Sequence, residues 1–374
     1  MPLNRKIKKI IIYPPQEFSQ SSFILTGVHL YCQQHSIPLK YSLGFTIKKG
    51  KLVLNNNKQV KLLNSSYPKL TYVDIVLHNS KKIRVGFDLY DIASHFSLYA
   101  LEYCDIIFKR SYENRYVAQL NDLKQKKIYS LGLTFRVYYK LKINKKVFLS
   151  SLFQNLKYDR YLFKRLISTF QNLTNQVESI KNQRLISQYE HFESGMENSI
   201  LFQTRAFPSE NSLDIQQIHA DRYRIIKCLR QEFPHQFKGG FVPSPIANEK
   251  YGDALTNVPS QPSAYLKAVK ESKIVIYTRG LANSPAWKMA EYLSQGKIII
   301  AERLTTDLPF PLEHGKELLF FDTDDELVKN IRKVMRDKNL QNTLSQNARA
   351  YFEKYVHPEK TLERIISTTL RKNA

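Results

Sequence analysis

The sequence predicts an α/β chain of two domains, with a parallel sheet in the second half. Three observations predict it. At 374 residues the chain is longer than one ordinary domain. Its second half alternates short apolar runs with longer amphipathic segments, as strands joined by crossover helices do. Its charge is divided unevenly: residues 1–190 hold 31 Lys and Arg against 11 Asp and Glu, a balance of +20, whereas residues 191–374 hold 26 against 22, a balance of +4.

Composition excludes several classes. A hydrophobic content of 43%, with 12% aromatics, supplies real cores and excludes global disorder. No apolar run approaches the roughly 18 residues that span a bilayer. The run Ile10-Ile11-Ile12-Tyr13 is too short for a signal-peptide core and reads as a first strand, so a cytoplasmic chain is expected. Cys32, Cys104 and Cys228 lie far apart without a CxxC pair, which reads as free thiols in a reducing compartment.

Taken in order, Lys9–Tyr13 is a strand and Ser21–Gln34 a helix entered through a polar turn. Lys51–Leu54 and Gln59–Leu63 flank Asn55-Asn56-Asn57 as a hairpin. Tyr72–Leu77, Ile83–Phe87 and Asp105–Phe108 are strands, with a helix near Ala93–Tyr103, and Ile128–Tyr138 is extended. A polar helical stretch from Phe148 to Tyr189 leads to Ser194-Gly195, a domain boundary. In the second half Ile200–Thr204 is a strand and Leu213–Phe233 a helix that buries Ile215, Ile218, Ile225, Ile226 and Leu229. Phe237–Val242 is a strand broken by Gly239-Gly240, which either lets backbone approach a ligand or makes a turn. Pro243–Pro262 is a proline-rich loop and Pro262–Glu271 a helix.

Ser272–Arg303 is the centre of the second half. Ile274–Tyr277 and Ile298–Ala301 are apolar strands, and a helix runs between them with Ser284 as cap, Pro285 at its first position and Gly296 after its end. Ala286, Met289, Ala290 and Leu293 form its apolar stripe, with Lys288, Glu291 and Gln295 at the border. A strand, a loop and a helix N-terminus make an anion site, to which Arg279 adds a bidentate donor beside Gly280. Leu318–Phe321 is a further strand, Asp324 and Asp325 cap a helix to about Arg336, and two helices close the chain.

The segments SPAWKMAEYLSQGKIIIAE, HGKELLFF, DTDDELVKNIRKVMRD and LSQNARAYFEKYV resemble the C-terminal half of GT-B-type glycosyltransferases, from Ser272 to about Tyr355. The resemblance implies two Rossmann-like domains facing a cleft. It implies an acceptor-side domain over residues 1–195, a nucleotide-sugar domain over 196–355, and a C-terminal helix over 356–374 that packs back on the first domain. It also puts Glu291 at the family's ribose-contacting position. Many retaining members carry a second Glu eight positions earlier, where this chain has Asn283.

Candidate site residues follow. For the donor they are Arg205, at the end of Ile200–Thr204, with Arg279, Gly280, Ser284, Lys288 and Glu291. Cations are needed because charge builds on the departing diphosphate. For a catalytic base, the run after Ile83–Phe87 offers Asp88, Asp91 and His95, while Lys109-Arg110 ends a strand where phosphate can bind. The competing reading makes Asp91 a cap and Asp88 a turn residue. Asp322-Thr323-Asp324 has the form of a D-x-D metal motif but precedes a helix, which favours capping; no metal and no cofactor besides the nucleotide-sugar substrate is expected.

The function expected is metal-independent transfer of a sugar from a nucleotide-sugar to a cell-surface glycan or lipid-linked acceptor, as in polysaccharide or lipopolysaccharide assembly. The basic half then meets an anionic membrane surface on its cytoplasmic side. Two other readings compete with it. One is a non-enzymatic nucleic-acid- or polyanion-binding protein, disfavoured because Tyr and Phe fall mostly within apolar runs instead of interleaving with cations. The other is a GT-B fold kept as a scaffold without catalysis.

Overall fold

The computed structural model of the chain describes residues 6–13, 18–42, 50–55, 58–63, 69–139, 174, 184–192 and 199–373. The stretch after Phe148 and the Ser194-Gly195 boundary lie largely or wholly outside these residues. The chain divides into two compact units, Met1–Ile186 with Asp307–Pro309 and His357–Ala374, and Ser187–Thr306 with Phe310–Val356.

The first unit contains β1 (Ile7–Ile12), α1 (Phe18–Gln34), β2 (Leu39–Tyr41), β3 (Lys51–Asn55), β4 (Lys58–Leu62), β5 (Leu70–Leu77), β6 (Lys82–Asp88), β7 (His95–Ser97), α2 (Leu98–Tyr103), β8 (Ile106–Lys109) and β9 (Ile128–Ser130). Its main sheet has the order β2-β1-β5-β6-β8-β9. β5 is antiparallel to both neighbours, while β1–β2, β6–β8 and β8–β9 are parallel. The carboxyl ends of β6 and β8 therefore lie side by side, with the start of β5 next to them. The expected hairpin forms as β3 and β4, and β7 joins it in a second sheet. This corrects the helix expected from Ala93. His95-Phe96-Ser97 pairs with β3, Phe96 enters the core, and the helix begins only at Leu98, capped by Ser97.

The second unit contains β10 (Ile200–Thr204), α3 (Leu213–Glu232), β11 (Phe237–Phe241), α4 (Pro245–Lys250), α5 (Pro262–Glu271), β12 (Ile274–Tyr277), α6 (Lys288–Ser294), β13 (Ile298–Ala301), β14 (Leu319–Phe320), α7 (Asp324–Arg336) and α8 (Lys338–Tyr351). All its strand pairs are parallel, in the order β11-β10-β12-β13-β14. β10, β12 and β13 are apolar throughout or nearly so because helices cover both faces. Ile200, Phe202, Ile276 and Ile300 pack with Ile225, Leu229, Ile331 and Val334. Each such side chain contributes roughly 1.5–3 kcal/mol on burial. The expected loop Pro243–Pro262 contains α4, which Ser244 caps and Pro245 opens. Gly239 and Gly240 serve the fold itself: a Cβ at the first would stand 2.0 Å from the Phe202 oxygen, and at the second 2.3 Å from that of Ala254. The last helix, α9 (Pro358–Asn373), belongs to the first unit and packs along α1.

Candidate functional site

In the second unit the chain leaves β10 for β11 on one side and returns to β12 on the other. The carboxyl ends of β10 and β12 thus flank a topological switch point, where open α/β sheets leave a crevice for ligands. Arg205 directly follows β10 and is exposed, and its side chain makes no ion pair among the described residues. Arg279 follows β12. Its guanidinium pairs with Asp214 at 2.5 Å, and its backbone N–H donates to Glu302 at 2.7 Å. Burial pushes the Asp214 carboxyl up, but hydrogen bonds from Ala282 and Arg279 outweigh this and hold it below its usual range. Burial pushes Glu302 the other way, above its usual range.

The two loops share one anchor. Buried Arg222, on α3, donates to the carbonyl oxygens of Arg205 at 2.8 Å and Arg279 at 3.2 Å. Burial pulls this guanidinium down to about 10. The loop after β10 is fixed a second time by His219, which accepts from the Phe207 N–H at 2.7 Å and meets Glu210 at 2.7 Å through its other nitrogen.

The other donor candidates sit on the next segment. Gly280 donates its N–H to the carbonyl of Ser284 at 3.0 Å, closing a tight loop. Within it Ala282 and Asn283 take positive φ values of 52° and 58°. Asn tolerates that left-handed region better than a long acidic side chain does, which agrees with Asn at this position. Ser284 does not cap the helix. α6 starts at Lys288, because Ser284, Pro285 and Ala286 stay non-helical while the Ala286 N–H is taken by the Tyr277 hydroxyl at 2.8 Å. At seven residues α6 is too short to serve as an anion site by its dipole alone, which corrects that expectation.

Lys288 donates to the carbonyl of Gln203 and lies 4.7 Å above the Tyr265 ring. Glu291 and Gln295 do not lie on an exposed border: Met289–Ser294 and Gln295 are all buried. Tyr189 donates to Glu291 at 3.5 Å, and Arg349 on α8 holds the carbonyls of Tyr189 and Ser294. At the far edge Thr323 caps α7, while Asp322 pairs with Arg303 at 3.0 Å and Asp324 with Arg224.

In the first unit Asp88, Asp91 and His95 come together at the carboxyl ends of β6 and β8. Asp88 is buried, accepts from the N–H groups of Tyr90 and Ser97, and lies 3.7 Å from buried Lys109. Its oxygens hold the loop together. Asp91 pairs with Lys69 at 3.0 Å and with Arg110. Burial pushes its carboxyl up, and Arg110 and Lys69 overcome that and keep it below the usual range. His95 is half-buried; burial, then Lys51, Lys109 and Lys69, pull it down to about 4.

Arg222, Asp214, Glu302 and His219 were not picked out from the sequence. Arg222 carried a signal: it stands four residues after Ile218 on the buried stripe of an amphipathic helix, where a cation needs buried acceptors.

Residues 230–367, from the end of α3 into α9, match the family model described as glycosyl transferase-like. The match covers little more than a third of the chain and lies in its second half. A search of curated proteins gives no match. Among solved structures, HepE of Anabaena in complex with UDP is 13% identical, with 72% of this chain and 65% of that one covered and a TM-score of 0.39. This chain therefore spans just under two thirds of HepE. The C-terminal domain of LpcC, a glycosyl transferase group 1 family protein from Francisella tularensis, is 9% identical over 44% of this chain and 88% of that one, with a TM-score of 0.31. Sucrose-phosphate synthase from Thermosynechococcus elongatus is 12% identical over 74% and 76%, with a TM-score of 0.36. At that similarity these structures add no argument to the family match. No helix among the described residues is long and apolar enough to cross a membrane.

Proposed function

We propose that the enzyme binds a nucleotide-sugar at the carboxyl edge of the second unit's sheet and transfers the sugar to a cell-surface glycan or a lipid-linked acceptor bound by the first unit. The observation that carries this reading is the pair Arg205 and Arg279 on the two strands of the switch point, their backbones held by one buried guanidinium. Fixed cations there neutralise charge on a departing diphosphate without reorganising, and this supports a mechanism that needs no metal. Glu291 is the carboxylate that the family resemblance assigns to the ribose, Gly280 and Ser284 shape the loop before it, and Lys288, which donates to the Gln203 carbonyl, is a further cation beside the end of β10.

The basic first half supports an acceptor carrying negative charge and a place on the cytoplasmic face of an anionic membrane. A nucleic-acid partner is disfavoured, because Tyr and Phe fall mostly within apolar runs of the sequence instead of interleaving with cations.

Thermal shift of the full chain against a panel of nucleotide-sugars tests the donor reading. A ligand at about 100 times its Kd adds roughly 2.7 kcal/mol. No response to any nucleotide-sugar or nucleoside diphosphate would overturn it. Co-sedimentation of the full chain with vesicles tests the membrane reading: binding should require acidic lipid and weaken with salt.

A further inference from the structure

Four cations converge on His95 and its neighbours in the first unit. Lys51, on β3, places its ammonium 3.4 Å from His95 Nδ1 and meets no carboxylate among the described residues. Lys109 comes up from the end of β8, wholly buried, and donates to the His95 carbonyl at 2.5 Å. Lys69, at the start of β5, and Arg110, after β8, both hold Asp91. Among the described residues two carboxylates face these four cations, Asp88 at 3.7 Å from Lys109 and Asp91. Glu113 is the other carboxylate near Lys109, and Arg115 engages it at 2.6 Å. The Tyr90 ring stands edge-on to the imidazole and carries no charge against it.

Positive charge is therefore in excess at a half-open position beside the carboxyl ends of two parallel strands. Because Nδ1 accepts from Lys51, the neutral ring carries its proton on Nε2 and presents a donor there. We infer that Lys51, Lys69 and His95 form a binding site for a phosphoryl group, contributed by the acceptor. The inference rests on the acceptor-side reading of this unit and gives that acceptor a chemical class.

The site has a built-in consequence. A phosphoryl oxyanion beside the imidazole favours the protonated ring, so occupancy raises His95 from its depressed value of about 4. By reciprocity, protonation of His95 tightens the site. His95 then acts as a charge-assisted donor to the bound group.

The test uses the full chain with histidines labelled in the ring carbons, the His95 resonance being assigned with His95→Gln. Its titration is followed by NMR alone, with inorganic phosphate, and with monomeric dihexanoyl phosphatidate against dihexanoyl phosphatidylcholine. The expected result is an upward move of the His95 midpoint by about one pH unit, a tenfold change in proton affinity. A response to phosphate but not phosphatidate points to a soluble phosphorylated acceptor, and a response to phosphatidate points to a lipid phosphate; either supports the site. An unmoved midpoint with both probes overturns it. Lys51→Gln should raise the midpoint of the free protein and abolish the response. The wild-type titration decides the matter even where a variant fails to fold. It involves no sugar transfer, so it stands apart from the glycosyltransferase reading.

Discussion

The buried guanidinium of Arg222 donates to the carbonyl oxygen of Arg279, 3.2 Å away, and its other terminal nitrogen reaches the carbonyl of Arg205 at 2.8 Å. One side chain therefore sets the spacing of the two loops that border the switch point. Arg222→Met keeps apolar bulk but leaves both carbonyls without this donor. The expected loss of stability is about 1–3 kcal/mol, read by urea unfolding. Nucleoside-diphosphate affinity should fall about tenfold in protein that is still folded, and Arg222→Lys, which satisfies one carbonyl, should fall between. Unchanged affinity in a folded Arg222→Met would separate the clamp from the binding site.

The Glu210 network makes a pH prediction. Hydrogen bonds from Lys250 and His219 pull this carboxyl from an ordinary 4.5 to about 2. A depressed folded-state value stabilises the fold fully above the ordinary value, and the contribution is lost as pH falls through the folded one. Stability conferred by Glu210 should therefore drain away between about pH 4.5 and pH 2. Glu210→Gln should be less stable at neutral pH and show a shallower acid limb in denaturation followed by circular dichroism. Parallel acid limbs in the two proteins would sink the account.

The second unit was the legible one. Ile200–Thr204 and Pro262–Glu271 have the limits read from sequence, because fully buried strands are continuous apolar runs and proline marks a helix start. Arg205 and Arg279 could be placed at strand ends for the same reason. Glu291 could not be judged, since the hydroxyl that meets it comes from Tyr189, far away along the chain. The three-residue strand at His95 was hidden too: its partner is a distant hairpin, and periodicity is local. Arg222 was visible only as a charge out of place on a helix stripe.

Metal independence is a separate expectation. Asp322 and Asp324, the carboxylates of the D-x-D sequence, are each engaged by an arginine, and Thr323 between them caps α7. Transfer activity should survive EDTA. Complete loss, restored by manganese or magnesium, would return these aspartates to a ligand role.

The donor site offers the sharpest test, because its residues have different tasks. Arg205 and Arg279 meet charge, so Arg205→Ala and Arg279→Ala should weaken a nucleoside diphosphate far more than the nucleoside. A charge-assisted hydrogen bond is worth roughly 1.5–3 kcal/mol, so losses of about tenfold or more are expected. Arg279 is also bound to Asp214, whose second oxygen holds the Ala282 N–H at 2.8 Å. Asp214→Asn therefore serves as the control: it loosens the loop while keeping the guanidinium, and should cost less than Arg279→Ala. Glu291→Gln preserves volume at a buried position and removes the charge, so nucleoside and nucleoside diphosphate should weaken alike if the carboxylate meets the ribose. Isothermal calorimetry on the folded variants separates these cases. If all of them bind the nucleoside diphosphate as the parent does, the nucleotide lies elsewhere and these side chains serve the fold alone.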